Sequence, residues 1–254
     1  MEVAFEKQSF KKRLTSMLNV DFKRAFTMPP IYIMAGVCLF IPILIFVMTS
    51  AMSASGTESF TNVWQSIGTL GGTAMTMDLT GMCNINLVYF FVCIYLCIFV
   101  SDDFKSGYAK NLFAVRSKKI DYVFSKSLLG FVCGVIMFLS YFIGAIIGGA
   151  VSGLSFDTGV LAAGNIAASI FAKAFLILVF VGISVLVAVI AKQKLWLSVL
   201  LALASGMLLF ALIPVISPLN STFLNVVICF IGGAAFAVGL GCISNIVLNK
   251  TNLT

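Results

Sequence analysis

Apolar and polar residues along this chain fall into long blocks, with little alternation inside a block. Six apolar runs stand out, at about residues 31–52, 83–100, 128–151, 172–191, 195–216 and 223–248. A helix needs about 20 apolar residues to cross a bilayer core, so each run predicts one membrane-crossing helix. The second run is the shortest and opens on Asn84 and Asn86. The expected fold is an all-α integral membrane protein. Residues 1–28 would form an amphipathic helix on the cytoplasmic side, 29–254 a six-span domain, and 101–127 a cytoplasmic loop within it.

The polar blocks carry patterns of their own. Phe10, Leu14, Met17, Leu18, Phe22 and Ala25 recur at helical spacing, with Lys11, Lys12 and Lys23 elsewhere around the wheel. Such a helix lies along a membrane surface with its cations near the headgroups. Met28-Pro29-Pro30 must end it, because proline lacks an amide donor and disfavours helix in its predecessor. In 101–127, Phe104, Tyr108, Leu112 and Val115 fall on one helical stripe. Asp102 and Asp103 precede that stripe and Lys118 and Lys119 follow it, the order that complements a helix dipole. The stripe suits a solvated loop, the lipid interface, or a docking knob with apolar anchors in a polar rim. Trp64, between the first two runs, is expected at headgroup depth.

Composition agrees with the blocks. Of 254 residues, 61% are hydrophobic and only 10% charged. Soluble domains carry about 45–50% apolar and about 25% charged residues. Fifteen of the sixteen basic residues lie in segments on one side of the predicted spans, which places both termini in the cytoplasm by the positive-inside rule. The net charge of +7 is thereby a topology signal, and nucleic-acid binding is not needed to explain it. The sixteenth, Lys173, sits near the far end of the fourth run. It is expected to snorkel to the outer headgroups; the other reading is a charge facing a translocation path.

Candidate chemistry is sparse. There is no histidine, and the seven cysteines form no CxxC pair, so no metal or redox site is indicated. None of the six runs contains Asp or Glu, which argues against a membrane-embedded hydrolase. Ion-coupled transporters are marked by buried ionisable residues, and here only Lys173 qualifies. Gly130/Gly134, Gly144/Gly148 and Gly233/Ala237/Gly241 predict close helix contacts.

The 101–127 loop carries a resemblance. Asp103, Phe104, Gly107, Leu112, Arg116 and Lys126 fill, in order, the places of the loop between spans two and three in permease subunits of type-2 ABC transporters. The chain departs from that pattern in having Asp where Glu is usual and Ala114-Val115 where proline is frequent. The resemblance implies an N-terminal connecting helix, six spans, and a coupling helix that meets an ATPase through Asp103, Phe104, Gly107, Tyr108, Leu112, Arg116, Lys118 and Lys126. It implies two permeases, identical or paralogous, paired with two ABC ATPases. The chain has no GxxxxGK[ST] phosphate loop, so ATP and Mg would belong to the partner. Spans two and five would line the path, offering Asn86, Tyr89, Phe90 and Cys93, and Ser198, Ala202, Ser205, Met207 and Phe210. The compact form resembles bacterial exporters or immunity proteins for antimicrobial or cytolytic peptides of lantibiotic or phenol-soluble-modulin type. That implies a cell-membrane protein acting on hydrophobic or amphipathic peptides; a drug or lipid cargo, or a secondary transporter, are the alternatives.

Overall fold

The computed structural model describes residues 10–52, 60, 62–66, 83–114, 118–158, 162–210 and 212–250. Val115, Arg116 and the side chain of Phe210 lie outside the described residues. The described chain is helical throughout: α1 Phe10–Thr27, α2 Pro29–Met52, α3 Val88–Lys105, α4 Tyr108–Ala114, α5 Lys119–Val151, α6 Ala163–Ala191, α7 Leu195–Phe210, α8 Ile213–Ile216 and α9 Phe223–Lys250. Short 3₁₀ turns lie at Val63–Ser66 and Ile85–Leu87.

Among the described residues, five helices are long and apolar enough to cross a bilayer: α2, α3 with the turn before it, α5, α6 and α9. This is the arrangement of a membrane protein. The fifth apolar run differs from expectation, being divided into the 16-residue α7 and the 4-residue α8. Pro214 explains the division. It cannot continue a helix but fits the first turn of a new one, and it stands in the first turn of α8. The chain on either side of the divided segment is tied to the bundle. At one end Gln193 donates to the Phe104 carbonyl, 3.5 Å away; at the other, the Asn165 amide donates to Asn220.

Two further boundaries moved. Helix α5 begins at Lys119, ahead of the predicted 128, and α6 begins at Ala163, ahead of 172. In both, the added turns carry polar residues that the bundle buries. Of these, Asp121, Ser125, Lys126 and Ser169 have no exposed surface.

Helix α3 is the axis of the bundle, with Tyr89, Val92, Cys93, Leu96 and Cys97 all buried. Helices α2 and α9 are peripheral and expose Phe40, Leu44, Phe223 and Ile231, as lipid-facing helices must. The predicted small-residue contacts are present. A Cβ on Gly144 would overlap the Leu39 carbonyl oxygen, and one on Gly148 would lie 2.7 Å from Ile43 Cα, so α2 and α5 touch backbone to backbone. One on Gly233 would lie 2.9 Å from the Phe175 carbonyl oxygen, which sets α9 equally close to α6.

The bend at Met28 separates α1 from α2. Helix α1 does not lie free along a surface, however. Met17, Asp21 and Ala25, one stripe at i, i+4 and i+8, are buried, and Phe10 meets Phe124 of α5 edge to face. Far from this end, Trp64 Nε1 donates to the Phe156 carbonyl at 3.0 Å.

Candidate functional site: a buried ion network

The last turn of α3 places Asp102 and Asp103 at a helix C-terminus. Backbone carbonyls already make that end negative, so two carboxylates there need cations. Two other helices supply them. Arg24 of α1 reaches Asp103 Oδ1 at 2.7 Å and Asp102 Oδ2 at 3.5 Å. Lys126 of α5 reaches Asp103 Oδ2 at 2.7 Å and, at the same distance, Asp21 Oδ1 of α1. Tyr122 donates its hydroxyl to Asp103 Oδ2 at 2.9 Å, and Ser125 donates to Asp21 Oδ2 at 2.6 Å. The side chains of Asp21, Asp103 and Lys126 have no exposed surface. The two buried carboxylates, Asp21 and Asp103, thus each meet a cation, Lys126 between them and part-exposed Arg24 at Asp103, as buried charges must.

Aromatic faces close the network. The Arg24 guanidinium lies 4.2 Å from the Tyr108 ring centroid, and Lys126 Nζ lies 4.4 Å from Phe99 and 5.0 Å from Tyr122. Such faces attract cations where water is excluded. Burial alone would lower the Arg24 pKa, but Asp103, with Tyr108 and Asp21 adding to it, outweighs burial and holds the guanidinium above its ordinary value. Burial likewise raises the Tyr108 phenol, with Asp21 and Asp103 adding to the rise and Arg24 opposing it. A second tie, Arg13 Nε to Asp121 Oδ2 at 2.8 Å, pins the start of α1 to the start of α5.

The predicted single stripe through this segment is split. Phe104 belongs to α3, where it is buried against Tyr122. The chain then turns at Gly107, whose φ of 75° is left-handed, and Tyr108 begins the separate α4. Asp102 and Asp103 therefore end one helix instead of starting the next. Ser106 completes the turn by donating both its amide and its hydroxyl to the Asp102 carbonyl. Helix α4 rests on its own chain through Ala109, which is buried, and Phe113, edge-on to Tyr122 at 5.3 Å. Leu112 is half-buried, while Lys110 and Asn111 face outward. Lys118 is exposed just before α5.

The residues expected to line a path sit mostly inside one chain. Asn86, Tyr89, Phe90, Cys93, Ser198 and Ala202 are buried. Tyr89 stacks on Phe180 at 4.5 Å and donates to the Lys173 carbonyl at 2.8 Å. Ser101 and Ser198 hydroxyls lie 3.4 Å apart. Ser205 bonds back to its own helix, and Met207 is 57% exposed.

Lys173 does not snorkel. With α6 starting at Ala163, it stands well inside the helix. It is fully buried and donates to the Ser217 carbonyl at 3.0 Å and hydroxyl at 3.3 Å.

Sequence reasoning missed Asp21, Tyr122 and Ser125. The readable signal was Asp21 on the Met17–Ala25 stripe, an acid on a face that burial selects. Among the described residues no three His, Cys, Asp or Glu side chains converge as a metal ion would require. No protein-family model, curated protein or solved structure matches this chain.

Proposed function

We propose that this chain is the permease subunit of an ATP-driven ABC exporter in a bacterial cell membrane. The cargo is a hydrophobic or amphipathic peptide, and two permeases assemble with two ABC ATPases that bind ATP and Mg. One observation carries the reading: an ion network ties the ends of α1, α3 and α5, and a short helix, α4, sits on it with the Tyr108 ring against Arg24 and Phe113 against Tyr122, turning Lys110 and Asn111 outward. A knob fixed in this way passes a push to three helices at once, because Asp103 and Lys126 cannot separate without exposing unpaired charge. The positive-inside rule, read from the fifteen basic residues of the sequence segments on this side, supports a cytoplasmic place for it, where ATP is available. The divided α7–α8 segment completes six crossings, with both termini on the ATPase side.

The test is reconstitution of the chain in liposomes with a candidate ABC ATPase. Amphipathic peptides should stimulate ATP hydrolysis. Lys110→Glu combined with Arg116→Glu should cut that stimulation about tenfold while helical content, read by circular dichroism, is unchanged. Peptide export by the chain with no ATPase present would overturn the reading. A second reading, an ion-coupled transporter, is favoured by one observation, the buried Lys173. Transport driven by an imposed ion gradient alone would select it.

A further inference from the structure

Lys173 is the buried cation that the ion network does not use. Its described partners, the Ser217 carbonyl and hydroxyl, are neutral. The other fully buried lysine, Lys126, has two carboxylates at 2.7 Å. A buried ammonium held only by neutral oxygens is the least favourable arrangement of charge in the bundle.

Unpartnered polar groups occur on α6 itself and in the turn before α3. Both side-chain atoms of Asn86, the amide nitrogen and the amide oxygen, are buried without a hydrogen-bond partner, and so is the Ser169 hydroxyl. Helix α3 and helix α6 run parallel, in a register fixed by the bond from Cys93 Sγ to the Phe180 carbonyl at 3.9 Å. About two turns back along each helix from that bond, Asn86 comes level with Lys173. Ser169 lies one turn beyond Lys173 on the same face of α6. Native proteins satisfy nearly all buried polar groups, so a lone cation with a free amide level with it and a free hydroxyl one turn away on its own helix calls for a ligand.

We infer that Lys173, Asn86 and Ser169 form a binding site for the carboxylate of an amphiphile, whose apolar part lies among the surrounding side chains. The formal charge of the site is one, which matches a singly charged carboxylate. The donors match as well: an ammonium, an amide N–H₂ and a hydroxyl can share its two oxygens. Tyr89 fixes the α6 backbone at this point, and Ser217 holds the ammonium at the end of α8, beside the division of the fifth run. The site belongs to this bundle alone and does not depend on an ATPase partner.

The experiment is direct binding to the full chain in nanodiscs of neutral lipid. Three probes are compared: a long-chain fatty acid, the matching fatty alcohol, and a hydrophobic peptide with either a free or an amidated C-terminus. The fatty acid should bind at least tenfold more tightly than the alcohol, and the peptide arm tells whether a peptide terminus can supply the same group. Lys173→Met should abolish the preference for the acid, Lys173→Arg should retain most of it, and Asn86→Leu and Ser169→Ala should each weaken it several-fold. If Lys173→Met does not fold, Asn86→Leu and Ser169→Ala decide. Equal affinity for acid and alcohol, or an undiminished preference in folded Lys173→Met or in both of the other variants, overturns the site. Because no ATPase is present, failure here leaves the exporter reading standing, and loss of peptide-stimulated hydrolysis leaves this one standing.

Discussion

Among the described residues two lysines are completely buried, and they live in opposite surroundings. Lys126 lies between Asp21 and Asp103, with Phe99 and Tyr122 rings against its ammonium. Lys173 lies against neutral oxygens of Ser217. The first is a structural member whose charge is cancelled in place. The second carries an uncancelled charge and contributes little to holding helices together. The difference separates a fastening from a site: where burial and balance coincide the charges build the fold, and where burial lacks balance the charge awaits something else.

Removing each lysine tests that contrast. Lys126→Met leaves buried Asp21 without a cation and Asp103 with Arg24 alone, and breaking a buried pair typically costs about 3–5 kcal/mol. Thermal unfolding in detergent should show the largest loss of any single change named here. A Lys126→Met chain as stable as the parent would mean that Arg24, Tyr122 and Ser125 hold the carboxylates without Lys126. Gly144→Ala should follow, since its methyl would overlap the Leu39 carbonyl oxygen and overpacking costs about 1–3 kcal/mol. That change loosens α2 from α5 without touching either lysine, so it calibrates a packing loss against an electrostatic one.

Gly107→Ala should cost about 1–2 kcal/mol, the left-handed penalty of a Cβ. Nothing lies within 4 Å of the added atom, so the effect is backbone strain alone. Its signature should be faster protease cleavage around α4 with little change in the unfolding temperature of the bundle. Smallest of all should be Lys173→Met, within about 1 kcal/mol of the parent, because it leaves no buried anion behind. A Lys173→Met loss as large as that of Lys126→Met would erase the contrast between the two.

Among the described residues the hydropathy blocks located every helix long and apolar enough to cross a bilayer, because a bilayer selects for unbroken apolar length and little else. Boundaries were legible only where a backbone rule applied. Met28-Pro29-Pro30 ended α1, since proline acts locally and needs no knowledge of neighbours. The start of α6 was hidden because Asn165 and Ser169 read as loop residues until a bundle encloses Ser169. The start of α5 was hidden for the same reason, its polar first turns being the face that meets α1. Asp103 was legible as a candidate residue, but its place at the end of α3 depended on Gly107 turning the chain. Asp21 was not singled out, because its significance comes from Lys126, far away in the sequence. The division of the fifth run was written in Pro214, though an apolar run of that length outweighs a single proline when hydropathy is summed.

The three-way fastening of α1, α3 and α5 also imposes an order of assembly. As the chain emerges from the ribosome, Asp21 and Arg24 appear first, Asp103 later, and Lys126 last. Arg24 can meet Asp103 as soon as α3 is in place, but Asp21 stays uncompensated until α5 inserts. Lys126 is therefore the closing bolt of biogenesis, and a chain that stalls before α5 presents an unmet acidic side chain to whatever machinery inspects unfinished membrane proteins.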